Sequence, residues 1–162
     1  MLIIIGNTGT GKSTLAQKIA ECLPEEEPVV ISAGRWIREY MDEWGHGPEV
    51  AAKLSKASTD ILRKDPTYCL RWLRSQTETC RPVIVEGMRN PVDFTGLFTP
   101  GQDIVIQTIG GKPANEFERT GLEAINAYLA FLQRMSLVPM VSVDAFGEAV
   151  PETCAQLLLE RW

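Results

Sequence analysis

Five short, largely apolar runs punctuate the chain, at residues 2–5, 28–32, 82–86, 103–107 and 139–143. Four or five such residues without strict alternation suit strands buried on both faces of a parallel sheet. Between the runs the apolar spacing changes to that of one helix face. A helical pattern covers 14–20 and begins near Lys12. Trp36, Ile37, Tyr40 and Met41 mark a second helix, entered from Gly34, and Gly45-His46-Gly47-Pro48 breaks it. Val50, Ala51, Leu54, Ala57, Ile61 and Leu62 mark a third, opened by Pro48 and ending at Lys64. Asp65-Pro66 starts another, with Cys69, Leu70, Trp72 and Leu73 on its apolar face and its end before Pro82. Phe117, Leu122, Ile125, Leu129, Leu132 and Met135 share a long helical pattern. Thr120-Gly121-Leu122-Glu123 has the form of a capping box, which predicts a start near 121 and a mobile segment over 110–120. Pro151 opens the last helix, closed by Leu157, Leu158 and Trp162. Strands alternating with helices predict an α/β fold with right-handed crossovers.

The first run leads directly into Gly6-Asn7-Thr8-Gly9-Thr10-Gly11-Lys12-Ser13, followed by Thr14. This is a complete G-x-x-x-x-G-K-[ST] phosphate loop between a strand and a helix. With glycine at ~7% of residues, chance would supply the four fixed positions in a chain of this length on the order of 1% of the time. Accident is therefore a poor explanation. Glycines at 6, 9 and 11 let successive backbone N–H groups turn toward phosphate oxygens, and the helix beginning near Lys12 adds the positive end of its dipole. Lys12 brings a mobile charge to the β- and γ-phosphates, and the Ser13 hydroxyl suits Mg²⁺.

A chain of 162 residues, 44% apolar, predicts one domain spanning 1–162 with one sizeable core. The net charge of −5 speaks against a broad nucleic-acid surface, while a local basic pocket still accommodates a small anion. Nucleotides are the expected partners, with no nucleic acid, no membrane, and a monomer or homodimer. No apolar run approaches the ~20 residues that cross a bilayer, and the start of the chain reads as a strand, so a cytoplasmic protein is expected. Cys22, Cys69, Cys80 and Cys154 are scattered and read as small apolar fillers, since a single histidine offers no metal set. That histidine, His46, lies between two glycines in a predicted turn and is expected to be an exposed loop residue. Trp36, Trp44, Trp72 and Trp162 are expected in the core, with Trp36 or Tyr40 available to stack on a base.

Glu86 closes the third apolar run and is followed by Gly87-Met88-Arg89-Asn90-Pro91. In an open α/β sheet ligands bind beyond the carboxyl ends of the strands, where Glu86 and the phosphate loop meet. A carboxylate there holds Mg²⁺ through water, and Arg89 neutralises phosphoryl charge.

Ser32-Ala33-Gly34-Arg35-Trp36-Ile37-Arg38 leaves the second strand for a helix. Together with the phosphate loop and the acidic-Gly-x-Arg strand end, this string resembles adenylate kinase and other nucleoside monophosphate kinases. Glu86-Gly87-Met88-Arg89-Asn90-Pro91 is also similar to the corresponding motif of dephospho-coenzyme A kinases and phage-type deoxynucleotide monophosphate kinases. The resemblance covers most of the chain, and its phosphate loop is the specific part. It implies a P-loop NTPase three-layer α/β/α sandwich with a five-stranded parallel sheet in the order 2-3-1-4-5. It further implies ATP as phosphoryl donor with Mg²⁺, Arg38 gripping the acceptor's phosphate, and Ser32 and Gly34 shaping the entrance of the acceptor helix. Arg89 would bridge donor and acceptor phosphates. Residues 33–80 would form an acceptor-binding arm and 110–120 a short lid.

Adenylate kinases carry several lid arginines, whereas this lid holds only Lys112 and Arg119, so Arg119 or Arg134 is left to stabilise transition-state charge. The family aspartate is Glu86 here. The resulting expectation is transfer of a γ-phosphoryl group to a nucleoside or deoxynucleoside monophosphate. Two alternatives stand beside it: a kinase of a hydroxyl-bearing metabolite of the dephospho-coenzyme A type, with Glu86 as base, and a nucleotide-binding regulatory protein without efficient transfer.

Overall fold

The computed structural model describes residues 1–161; Trp162, expected to close the last helix, lies outside them. The chain runs β1 (Leu2–Ile5), α1 (Lys12–Glu21), β2 (Val29–Ser32), α2 (Arg35–Met41), α3 (Pro48–Lys64) and α4 (Tyr68–Thr77). It continues through β3 (Val83–Glu86), α5 (Pro91–Leu97), β4 (Ile104–Thr108), α6 (Glu116–Arg134), β5 (Met140–Val143) and α7 (Val150–Leu159). The five strands form one sheet in the order β2-β3-β1-β4-β5, every neighbouring pair parallel.

The unalternated strands explain the three layers. Ile3, Ile5, Val83, Val85 and Val105 face a core completed by α2 to α6. Leu2, Ile4, Ile84, Ile104 and Ile106 face the opposite core, completed by α1 and α7. Each fully buried isoleucine or leucine contributes about 1.5–3 kcal/mol, so a polar residue on either face of β1 has no tolerated position. Parallel pairing then puts Gly6, Ser32, Glu86 and Thr108 at one edge, because Ile4 stands opposite Glu86 and Ser32 opposite Glu86 in register.

Four expectations need correction. Helix α5 is absent from the sequence reading: its seven residues are too few for a period, and its signals were Asn90, whose side chain accepts the Val92 N–H, and Pro91 at the first turn. Helix α6 starts at Glu116 instead of near 121, because Asn115 takes the cap and its side-chain oxygen accepts the Glu118 N–H at 2.9 Å. Thr120 donates instead to the Glu116 carbonyl at 2.9 Å, a bond made within the helix. The filler reading holds for Cys69 and Cys154, which are buried, whereas Cys22 is half-buried and Cys80 exposed. Trp44, Phe117 and Met135 are likewise exposed. Among the described residues no helix is long and apolar enough to cross a membrane.

Asp93, in the first turn of α5, is buried with Oδ1 lacking a hydrogen-bond partner. Burial raises its carboxyl above the ordinary value, and the nearby Cys69 thiol, Asn90 side chain and Leu70 N–H offset this only in part. A raised native value means the folded state holds the proton more tightly, so stability falls as pH rises from the unfolded carboxylate value through the native one. Thermal melts between pH 4 and 8 should show this slope in the natural chain and lose it in Asp93→Asn; an unchanged slope would assign it elsewhere.

Candidate functional site

The phosphate loop connects β1 to α1 by backbone turns that only glycine takes easily. Gly6, Gly9 and Gly11 have φ of 144°, 79° and 77°. At Gly6 space adds to conformation, since a Cβ would lie 2.1 Å from Thr108 Oγ1. That hydroxyl donates to the Ile5 carbonyl at 3.1 Å and shares a 2.6 Å hydrogen bond with Thr10 Oγ1, fastening the loop to the end of β4. Lys12 is 6% exposed and its Nζ donates to the Asn7 carbonyl at 2.6 Å, inside the curl of the loop. Burial, and then the Arg89 charge, push its amine below the ordinary lysine value, with Glu86 and Glu118 pulling the other way. Ser13 and Thr14 stand exposed on the first turn of α1.

Glu86 is 6% exposed at the end of β3, and no hydrogen bond to its carboxylate is found among the described residues. Its oxygens are not among the buried atoms left without a partner, so they reach solvent and have free capacity for a hydrated cation. With the Ser13 hydroxyl, this pair fits Mg²⁺, which keeps several waters and takes few protein ligands. Among the described residues no group of three or more His, Cys, Asp or Glu converges, so a cage made entirely of protein ligands is not built.

Arg89 reaches back over the loop: its Nη2 donates to Thr8 Oγ1 at 3.1 Å. On its other side lies Glu118, a residue the sequence reading did not single out. Glu118 Oε1 is 3.3 Å from Arg89 Nε, an ion-pair distance without hydrogen-bond alignment. The Thr8 hydroxyl lies 2.8 and 2.9 Å from the two Glu118 oxygens and donates to this carboxylate. Burial of Glu118 works to raise its carboxyl, but the Ala114 N–H, the Thr8 hydroxyl and the Arg89 and Lys12 charges together hold it below the ordinary value. The only advance sign of Glu118 was its place three residues after Asn115.

The segment between β4 and α6 lies across the phosphate loop. Asn7 Nδ2 donates to the Gly110 carbonyl at 3.2 Å, and a Cβ on Gly111 would meet Thr10 Cγ2 at 2.6 Å and the Thr8 carbonyl at 2.8 Å. On the far side, the Phe146 ring edges Gly11, where a Cβ would stand 2.9 Å from Cζ. Phe146 is 67% exposed, an aromatic face beside the phosphate loop that the sequence reading passed over.

The other expected residues are placed differently. Ser32 pairs in register with Glu86, while Gly34 is exposed with open space where a Cβ would be. Arg38 Nη1 donates to the carbonyls of Glu43 at 3.3 Å and Gly45 at 2.9 Å, so it braces the turn after its own helix. Arg119 is held on the outer face of α6 by Glu116 and by Glu123 at 2.8 Å. Arg134 is the last of the 19 residues of α6, about 28 Å along the helix from its start. Trp36 is buried against Tyr68 at 5.5 Å, which removes it as a stacking surface, whereas Tyr40 is exposed.

A cavity of about 500 Å³ opens beside Asn90, the residue after Arg89. One wall is α3, with Ser55, Thr59 and Leu62; the other is the start of α6, with Asn115 and Phe117. Its volume is that of a small-molecule site.

No family model matches the chain, and no curated protein matches it. Solved structures do. A shikimate kinase from Bacteroides thetaiotaomicron is similar over 98% of this chain and 95% of its own, with a TM-score of 0.53 at 16% identity. A gluconokinase from Sinorhizobium meliloti 1021 aligns over the same shares, with a TM-score of 0.46 at 18% identity. The first likeness shows the fold alone: a five-stranded parallel sheet in the order β2-β3-β1-β4-β5 with helices on both faces, the order expected above.

Proposed function

We propose that the chain is an ATP-dependent kinase of a small molecule. The observation that carries this reading is the convergence, at one sheet edge, of a glycine-turned phosphate loop, the buried Lys12, Arg89 across Thr8, and the buried Glu86. A Mg²⁺-bound triphosphate in the loop would meet Ser13 and Glu86 through the metal, with Lys12 and Arg89 taking up phosphoryl charge. Phosphoryl transfer asks a protein mainly for positioning and charge neutralisation, which these groups supply. The acceptor would occupy the cavity between α3 and α6, with 33–80 as its arm and 110–115, continued by the first turn of α6, as a short lid.

Resemblance to nucleoside monophosphate kinases favours a monophosphate acceptor, gripped by Arg38. Side-chain partners favour a hydroxyl-bearing metabolite. Arg38 is committed to backbone carbonyls and Arg119 to two glutamates. The cavity itself is lined by one arginine, the exposed Arg63, which lies 4.0 Å from Asp60. A phosphate wants bidentate arginine; a neutral alcohol does not, and it gains from a carboxylate base such as Glu86.

The deciding experiment is a coupled ADP-release assay across nucleoside monophosphates, deoxynucleoside monophosphates, dephospho-coenzyme A and neutral polyols. Stimulation by any of them supports a kinase and names its class. ATP binding with no stimulated release would instead favour a regulatory nucleotide-binding protein.

Phe146 is expected to stack on the nucleotide base. Base–aromatic stacking is worth about 1–3 kcal/mol, so Phe146→Ala should weaken ATP binding by about fivefold or more in a calorimetric titration. Inorganic triphosphate, which has no base, should bind both proteins equally. Equal weakening of the two ligands would remove Phe146 from base recognition.

A further inference from the structure

An ionised carboxylate withdrawn completely from water is costly unless it is paired and hydrogen-bonded. Glu118 is 0% exposed, and its partners come from three separate parts of the chain: Thr8 of the phosphate loop, Arg89 after β3, and the Ala114 N–H at 2.5 Å. A glutamate at the third position of a helix ordinarily turns back to the N–H of its own cap residue. Here the cap is Asn115, and the carboxylate passes it by for Ala114 and the two residues over the phosphate loop.

We propose that Glu118 is a positioning residue that holds the Arg89 guanidinium over the phosphate loop and sets it in register with the segment 109–115. Arg89 offers one edge of its planar fork to the protein, Nε toward Glu118 and Nη2 to Thr8. Nη1 is then directed by the anchored edge and serves a phosphoryl oxygen. Because the Ala114 N–H binds the same carboxylate, movement of the segment and aim of the arginine are linked. The inference rests on the kinase reading of the site.

The test compares Glu118→Gln, Arg89→Ala, the double variant and the natural chain. Glutamine keeps the size and an acceptor oxygen but removes the charge. In ¹⁵N spectra the Arg89 Nε–H signal, assigned by its loss in Arg89→Ala, should stand apart in the natural chain and move to the free-arginine position in Glu118→Gln. Turnover should fall by about 10²-fold, the scale of a misplaced reacting group, with the ATP KM changed by less than about threefold. In the Arg89→Ala background the same glutamine should add almost nothing, because the residues act as a unit. An unmoved signal, or effects on turnover that simply add, overturns the proposal. Should Glu118→Gln fail to fold, Glu118→Asp keeps the charge, draws it back by one methylene, and should displace the same signal; an unmoved signal there overturns it equally. If no acceptor stimulates ADP release by the natural chain, the kinase reading fails, while the Nε–H comparison still decides whether Glu118 positions Arg89.

Discussion

Gly121→Ala lowers the melting temperature of this protein, although the same exchange in an ordinary helix raises it. Glycine inside a helix costs about 0.5–1 kcal/mol relative to alanine, so alanine at an open position of α6 is stabilising. Gly121 is not open. A Cβ there would lie 1.9 Å from the Arg89 carbonyl oxygen and 3.1 Å from its carbonyl carbon. Both are backbone atoms, which cannot swing aside as the end of a side chain does. Either α6 or the loop after β3 must shift, and overpacking of this kind costs about 1–3 kcal/mol. For a domain of this size, each kcal/mol corresponds to about 2–4 °C, so a drop of roughly 2–12 °C is expected in calorimetry. Turnover should fall with it, since the displaced residue is Arg89. A melting temperature equal to or above that of the natural chain would mean that α6 does not press on Arg89.

Lys12→Ala removes turnover while leaving the fold intact. The amine is buried, burial and Arg89 push its proton affinity down, and its hydrogen-bond partner is the carbonyl of Asn7 in its own loop. Such a cation contributes little to stability, and on the proposed reading it meets phosphoryl charge. Loss of one preorganised group facing developing charge costs about 10²–10³-fold in rate, which is the fall expected in acceptor-stimulated ADP release. Lys12→Arg should not rescue it, because a rigid planar fork does not replace a compact ammonium inside the curl of the loop. The melting temperature should stay within a few degrees. Full turnover in Lys12→Ala would mean that the triphosphate binds away from this loop, and a large loss of stability would make the lysine structural.

The same two residues divide what was legible in advance from what was not. The placement of Lys12 was visible because the loop that surrounds it spans eight residues, in a motif whose glycines have a single geometric purpose. Gly121 was visible only as part of a capping pattern, and a wrong one. Two segments, Asn115 to Glu118 and Thr120 to Glu123, carry the same cap chemistry, and local sequence cannot rank them. What ranks them is that Glu118 finds partners and Gly121 finds a backbone at contact distance. Arg38 was expected to grip the acceptor's phosphate from the resemblance to nucleoside monophosphate kinases, and Arg119 to stabilise transition-state charge from its place in the lid. Their nearest acceptors, the carbonyls of 43 and 45 and the carboxylates of 116 and 123, were in the sequence all along. Nothing in it said that these acceptors would be used.

The sequence by itself determined the strands, all but one of the helices, the parallel sheet and the phosphate loop. Each depends on hydrophobic period, chirality or turn geometry over a few neighbouring residues. Tertiary structure alone decided the contacts around that loop. Thr8 meets Arg89 across 81 residues of chain and Glu118 across 110, and Phe146 reaches Gly11 from beyond β5. The sheet order brings these groups together, and the closeness of packing fixes which polar atoms pair. Pairing at that separation leaves no periodic trace in the chain.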